Sequence, residues 1–180
     1  MIVVNSKEEL KELILWRIRI ERNSNCDLND IDVSRIKDMS YLFSDSAFNG
    51  DISRWDTSNV RDMNHMFYRS TFNGDISGWD VHNVIDMSYM FAGSEFDRVI
   101  SQWDVHNVVD MSCMFYRSKF NTDISTWDVS SVRDMSYMFM DSWFDGDISE
   151  WDMSNVEDMT YMFYTSTPGS TVHPKLDTLI

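Results

Sequence analysis

Apolar positions along this chain recur every 24 residues. Tryptophan stands at Trp55, Trp79, Trp103, Trp127 and Trp151, and methionine keeps the same interval from Met39 through Met63, Met87, Met111 and Met135 to Met159. All 11 phenylalanines fall into two phases, one running from Phe43 to Phe163 and the other from Phe48 to Phe144. A period this strict predicts a solenoid, in which each unit buries its apolar face on its neighbours.

Within one unit, Asp51 to Gly74, the spacing of Ile52, Trp55 and Thr57 predicts a short strand. Alternation about Trp55 turns Arg54, Asp56 and Ser58 to its outer side. Met63, Met66 and Phe67 follow at +3 and +4, which predicts a short helix capped by Asp62. The fold class expected is therefore an α/β repeat of about six coils, each a short parallel strand plus a short helix. Leu28, Ile31, Val33, Ile36, Met39 and Leu42 make a degenerate first coil. Residues 1–26 read as an N-terminal cap. Met1 to Val4 form its edge strand, and Ser6 with Glu9 make a capping box that opens a helix with Leu10, Leu13, Ile14 and Ile18 on its apolar side. Residues 27–166 are the repeat, and residues 167–180 a tail that folds over the last coil.

The run from Asp123 to Phe139, DISTWDVSSVRDMSYMF, closely resembles the repeat of BspA-type leucine-rich-repeat proteins, which include many bacterial and mycoplasma surface lipoproteins. The resemblance covers roughly residues 27–164. It implies a right-handed leucine-rich-repeat-like solenoid and a binding or adhesive role, usually at a cell surface. The first residues lack the basic start and long apolar stretch of a secretory signal, and neither a lipobox cysteine nor an anchor is evident. The chain is therefore expected to act in the cytoplasm, with a cell-surface location as the alternative should it be a fragment of an exported protein.

Charge sharpens the picture. The 180 residues carry 15 Lys plus Arg against 30 Asp plus Glu, a net charge of −15, which argues against direct nucleic-acid binding. Aspartate outnumbers glutamate 23 to 7, and the repeat explains why. One ladder is Asp32, Asp56, Asp80, Asp104, Asp128 and Asp152. A second is Asp38, Asp62, Asp86, Asp110, Asp134 and Asp158, and a third is Asp27, Asp51, Asp75, Asp123 and Asp147, interrupted at Val99. Capping and turn formation are the expected work of the second and third. The first faces outward, and stacking brings its carboxylates to about 5 Å from one another, so it calls for donors, counter-ions or a basic partner. Asn59, Asn83, Asn107 and Asn155 are candidate donors. Arg98 beside Val99 marks a local basic spot.

The side chains expected to meet a partner are Asp56, Asp80, Asp104, Asp128 and Asp152, with His82 and His106 beside them, and a flank of Tyr68, Arg69, Tyr116 and Arg117, residue types enriched at binding hot spots. Two histidines with no fixed third ligand do not make a metal site. Serine, histidine and aspartate recur in every coil where a triad needs one singular constellation, and no Gly-rich phosphate loop occurs. Cys26 and Cys113 form neither a disulfide framework nor a zinc site. No run approaches the ~20 apolar residues of a membrane span. A non-enzymatic protein without cofactors follows, whose partner is a basic protein. In the sharpest form it is an acidic inhibitor occupying a nucleic-acid-binding surface, as phage anti-defence proteins do; the alternative is a BspA-like surface adhesin.

Overall fold

The computed structural model describes residues 1–166; the expected tail over the last coil lies outside them. Strand β1 (Ile2–Val3) pairs in parallel with β2 (Ile31–Asp32), with Ile2 opposite Ile31. Between them helix α1 (Lys7–Glu21) starts at Ser6, whose hydroxyl accepts the Glu9 N–H at 3.2 Å. The Glu9 carboxylate accepts in return from the Asn5 N–H at 2.8 Å. Leu10 and Ile14 are buried, and Leu13 and Ile18 pack partly buried against the same core. Lys7 ties the helix to the first unit through Asp38 and the Ser40 hydroxyl, both at 2.7 Å.

From there successive 24-residue units lie one upon the next. Isolated parallel bridges join Asp38, Asp62, Asp86, Asp110, Asp134 and Asp158 in sequence. The pairing segment is thus the one whose spacing predicted a helix, and no helix occurs in the units among the described residues. Alternate N–H groups explain this. Those of Met63, His65, Phe67 and Arg69 donate to Asp86, Ser88, Met90 and Ala92 of the next unit at 2.8–2.9 Å. Those of Met66, Tyr68 and Ser70 close turns onto the residue three back. Two residues per unit adopt positive φ to aim their N–H along the stack, as His65 (54°) and Arg69 (50°) do. Met63, Met66 and Phe67 are fully buried all the same. The +3/+4 spacing reported burial correctly and conformation wrongly.

The Trp segment differs from expectation too. Trp55 closes a turn onto the Ile52 carbonyl at 3.2 Å instead of pairing as a strand. Each Trp ring instead crosses to the preceding unit: the Nε1–H of Trp55, Trp79, Trp103, Trp127 and Trp151 donates to the carbonyl of Leu28, Ile52, Ile76, Ile100 and Ile124 at 3.0–3.2 Å. Phenylalanine fills the rest of the layer. Phe67 stacks on Phe91 at 5.6 Å and Phe91 on Phe115 at 5.8 Å, and each meets the second phase within its own unit, as Phe67 meets Phe72 at 4.4 Å. Buried rings in two continuous columns make a single core through every unit.

The Trp bridge is separable from ring burial. In Trp103→Phe the Ile76 carbonyl keeps its bond from the Trp79 N–H, so losing the indole donor costs about 0.5–1.5 kcal/mol, with a further loss for the smaller ring. Trp103→Ala is expected to cost about 3–5 kcal/mol. Urea denaturation of the two variants measures both.

Candidate functional site

The outward residues form columns because every unit repeats one turn. In all three aspartate ladders a carboxylate oxygen accepts the N–H two residues on. Asp56 takes Ser58 at 3.1 Å, Asp62 takes Asn64 at 2.9 Å, and Asp75 takes Ser77 at 3.0 Å. These are Asx turns, the local bond by which aspartate competes with regular structure. Asp62 therefore holds a turn rather than capping a helix.

In the first ladder Asp56, Asp80, Asp104, Asp128 and Asp152 are exposed. His82 and His106 do there what Ser58 and Ser130 do elsewhere: their Nδ1 atoms lie 2.6 and 2.7 Å from Asp80 and Asp104 within the same unit. The hydrogen bond from His82 holds the Asp80 carboxyl below its ordinary range, as the Ser130 hydroxyl does for Asp128 and the Ser154 N–H for Asp152. The asparagines expected to serve these carboxylates go elsewhere. Asn59, Asn83, Asn107 and Asn155 each donate to a carbonyl of the preceding unit, those of Ser34, Ser58, His82 and Ser130, at 2.7–2.8 Å. The local basic spot expected at Arg98 is likewise tied down, its Nε donating to the Asn73 carbonyl at 2.9 Å.

Like-charge crowding falls instead on the second ladder. It sits on the bridged segment, and Asp62, Asp86, Asp110 and Asp134 are half-buried. Burial pushes the Asp62 carboxyl up, with the neighbouring Asp86 and Asp38 charges adding to it. Burial does the same at Asp110, where Asp86 and Asp134 add theirs. At the start of the column Asp38 escapes: burial opposes ionisation there, but the hydrogen bonds from Lys7 and Ser40 outweigh it and its carboxyl stays low.

Beside this ladder runs an aromatic strip at the first positive-φ position, Tyr41, His65, Tyr89, Cys113, Tyr137 and Tyr161. His65 lies between Tyr41 and Tyr89, at 4.4 and 4.5 Å between ring centroids. Cys113 interrupts the rings; its hydrogen bond with Tyr89, and then burial, push the Tyr89 hydroxyl up to about 12. The strip's 24-residue period is plain in the sequence, but its residues mix Tyr, His and Cys and carry no apolar pattern that marks them. The predicted Tyr–Arg flank lies next to it. Arg69 stands 6.0 Å over Tyr68 and Arg117 5.0 Å over Tyr116, and the four line one cleft with Gly93. The flank and the exposed Asp ladder are separate features. Among the described residues no group of three or more His, Cys, Asp or Glu side chains is arranged to hold a metal ion, and no helix is long and apolar enough to cross a membrane.

The shifts give opposite pH signatures. Asp62 and Asp110 hold a proton more tightly folded than unfolded, so their contribution to stability falls as pH rises through that window. Asp75 and Asp128, held low, contribute stability at neutral pH that is lost as pH falls through their folded values. Asparagine keeps the Asx acceptor, so Asp110→Asn should raise stability at about pH 7, with the gain vanishing near pH 3. Asp75→Asn should lower it at the same neutral pH. Urea denaturation at the two pH values checks both signs.

Comparison with curated proteins and with solved structures finds no match. Residues 17–117 and 92–170 each match the model of a family described as Mycoplasma protein of unknown function, DUF285. Two overlapping matches that together span most of the chain fit its repeated units, and the chain belongs to this Mycoplasma repeat family.

Proposed function

We propose that this chain is a non-enzymatic, protein-binding repeat of the right-handed leucine-rich-repeat-like solenoid class, and that its exposed aspartate ladder binds a basic partner. The observation that carries this reading is that the ladder recurs in every unit, with carboxylates exposed and, at Asp80, Asp128 and Asp152, held toward the ionised form. Stacked units about 4.8 Å apart place one exposed carboxylate of this ladder per unit, a regular row of negative charge along the stack. That regular spacing supports the finer form of the proposal, an intracellular inhibitor that occupies a nucleic-acid-binding surface. Association would be steered by charge and weakened by salt.

The resemblance to BspA-type repeats supports a second reading. Mycoplasma repeat proteins of the kind this sequence resembles include surface proteins, so a BspA-like adhesin binding a host protein is the alternative.

The Asx geometry makes a clean test possible, since asparagine removes the charge of Asp56, Asp80, Asp104 and Asp128 while keeping the oxygen that accepts the turn N–H. Tagged protein and the four-Asn variant are used to capture partners from cytosolic lysate, with washes at low and high salt. A basic nucleic-acid-handling protein retained at low salt, released at high salt and missed by the variant is the expected result. Equal retention by the variant removes the acidic-face reading, and the lack of any salt-sensitive cytosolic partner favours the adhesin.

A further inference from the structure

The second positive-φ position of each unit reads Asp45, Arg69, Gly93, Arg117, Asp141 and Thr165 along the stack, and the position before it reads Ser44, Tyr68, Ala92, Tyr116, Met140 and Tyr164. At the centre of both columns the side chain is small. The result is a cleft of about 450 Å³ lined by Tyr68, Arg69, Gly93, Tyr116 and Arg117. Two units beyond Ala92 and Gly93, Met140 and Asp141 occupy the equivalent positions with full side chains.

Two features of the cleft select a ligand. The first is spacing. Phe67, Phe91 and Phe115, each one residue before this column, stack ring on ring at 5.6 and 5.8 Å, so one unit step in this fold is the height of one aromatic ring. Tyr68 and Tyr116 stand two steps apart, and in the unit between them the exposed Gly93 carries no side chain, while Ala92 is buried beneath it and the Tyr89 ring meets Tyr68 edge-on at 6.4 Å. The second is charge. Arg69 pairs through Nε with Asp45 at 3.4 Å, and Arg117 through Nε with Asp141 at 3.1 Å, so each guanidinium is anchored on the side away from the cleft. Their terminal nitrogens have no hydrogen-bond partner among the described residues. Measured from Gly93, the arginines lie about one unit away and the aspartates about two, so the acids cancel only about half of the positive potential there. On a chain of net charge −15 this is a locally positive, aromatic-walled slot.

We infer that this cleft binds an aromatic ring bearing a phosphate or sulfate ester, the ring entering between Tyr68 and Tyr116 and the oxyanion bridging Arg69 and Arg117. Offset stacking holds the ring, and charge-assisted hydrogen bonds hold the ester. Three oxygens can be shared between two guanidinium forks. The ester belongs either to a modified tyrosine of a partner protein or to a free small molecule; the recognition chemistry is the same. The site is independent of the aspartate ladder.

Titration of the full chain with phenyl phosphate, inorganic phosphate and a blocked phosphotyrosyl peptide, followed by calorimetry and by tyrosine ring resonances, tests the assignment. Phenyl phosphate is expected to bind at least about tenfold more tightly than inorganic phosphate, since only it uses the rings. Arg69→Ala and Arg117→Ala should each weaken it by about tenfold or more. Gly93→Asp, which copies Asp141 at the same positive-φ position, should abolish binding by filling the slot and adding a negative charge. The arginine side chains are exposed, so their variants carry the test even if the slot-filling variant fails to fold. A peptide tighter than phenyl phosphate assigns the ester to a partner's side chain; equal or weaker binding assigns it to a small molecule. The variant with four asparagines should bind phenyl phosphate unchanged, which separates this site from the acidic face. Equal affinity for phenyl and inorganic phosphate, no saturable binding, or indifference to Arg117→Ala would overturn the inference.

Discussion

Four backbone N–H groups of a unit donate forward to the next unit and others donate back to the preceding one, and the rest of the molecule follows from satisfying them. Met63, His65, Phe67 and Arg69 donate to the following unit, and the same set recurs at 24-residue steps. Buried backbone groups must be paired, and here the pairing lies between units rather than within a helix. Two residues per unit accept a left-handed conformation to keep those bonds in line, at a cost of about 1–2 kcal/mol for each residue with a side chain. That cost is offset by a layer of Phe, Met and Trp side chains that closes only when the units stack.

The buried set was legible because burial depends on which side chains face inward, and a 24-residue period reports that directly. Conformation was not. The intervals between Met63, Met66 and Phe67 suit one face of a helix, yet they also suit a segment whose alternate N–H groups point along the stack while the others close turns. The left-handed positions that distinguish the two are filled by Tyr, His, Cys, Arg, Asp and Thr, and by glycine only at Gly93, so no glycine pattern announces them. The exposed aspartates were correctly placed outside. The crowding of carboxylates was assigned to the wrong ladder, because it arises where bridged backbones draw Asp62 and Asp110 into partial burial, and that follows from the pairing rather than from the residues. The Tyr–Arg flank was visible as a recurrence, but its cleft depends on Ala92 and Gly93, two residues that contribute almost no side chain.

Acidic columns and aromatic cleft also illustrate two ways in which a repeat protein encodes binding. Where every unit keeps the same residue, as with the Asp of the first ladder, the surface presents a uniform field that recognises charge at a distance. Where one unit departs from its neighbours, as at Ala92 and Gly93, a single bounded place appears, able to recognise a shape. The framework tolerates such departures because the backbone bonds that join units use no side chain at all.

That last property has an evolutionary consequence. The backbone donor and acceptor sets of a unit depend only on its having a neighbour of the same length on each side, so gain or loss of one whole 24-residue segment by recombination restores the backbone bonds at the junction. A change of a single residue in that length would throw Trp, Phe and Asp out of line together. Copy number is therefore the variable most open to selection in this architecture, and with it the reach of the charged columns can lengthen or shorten while the core stays the same.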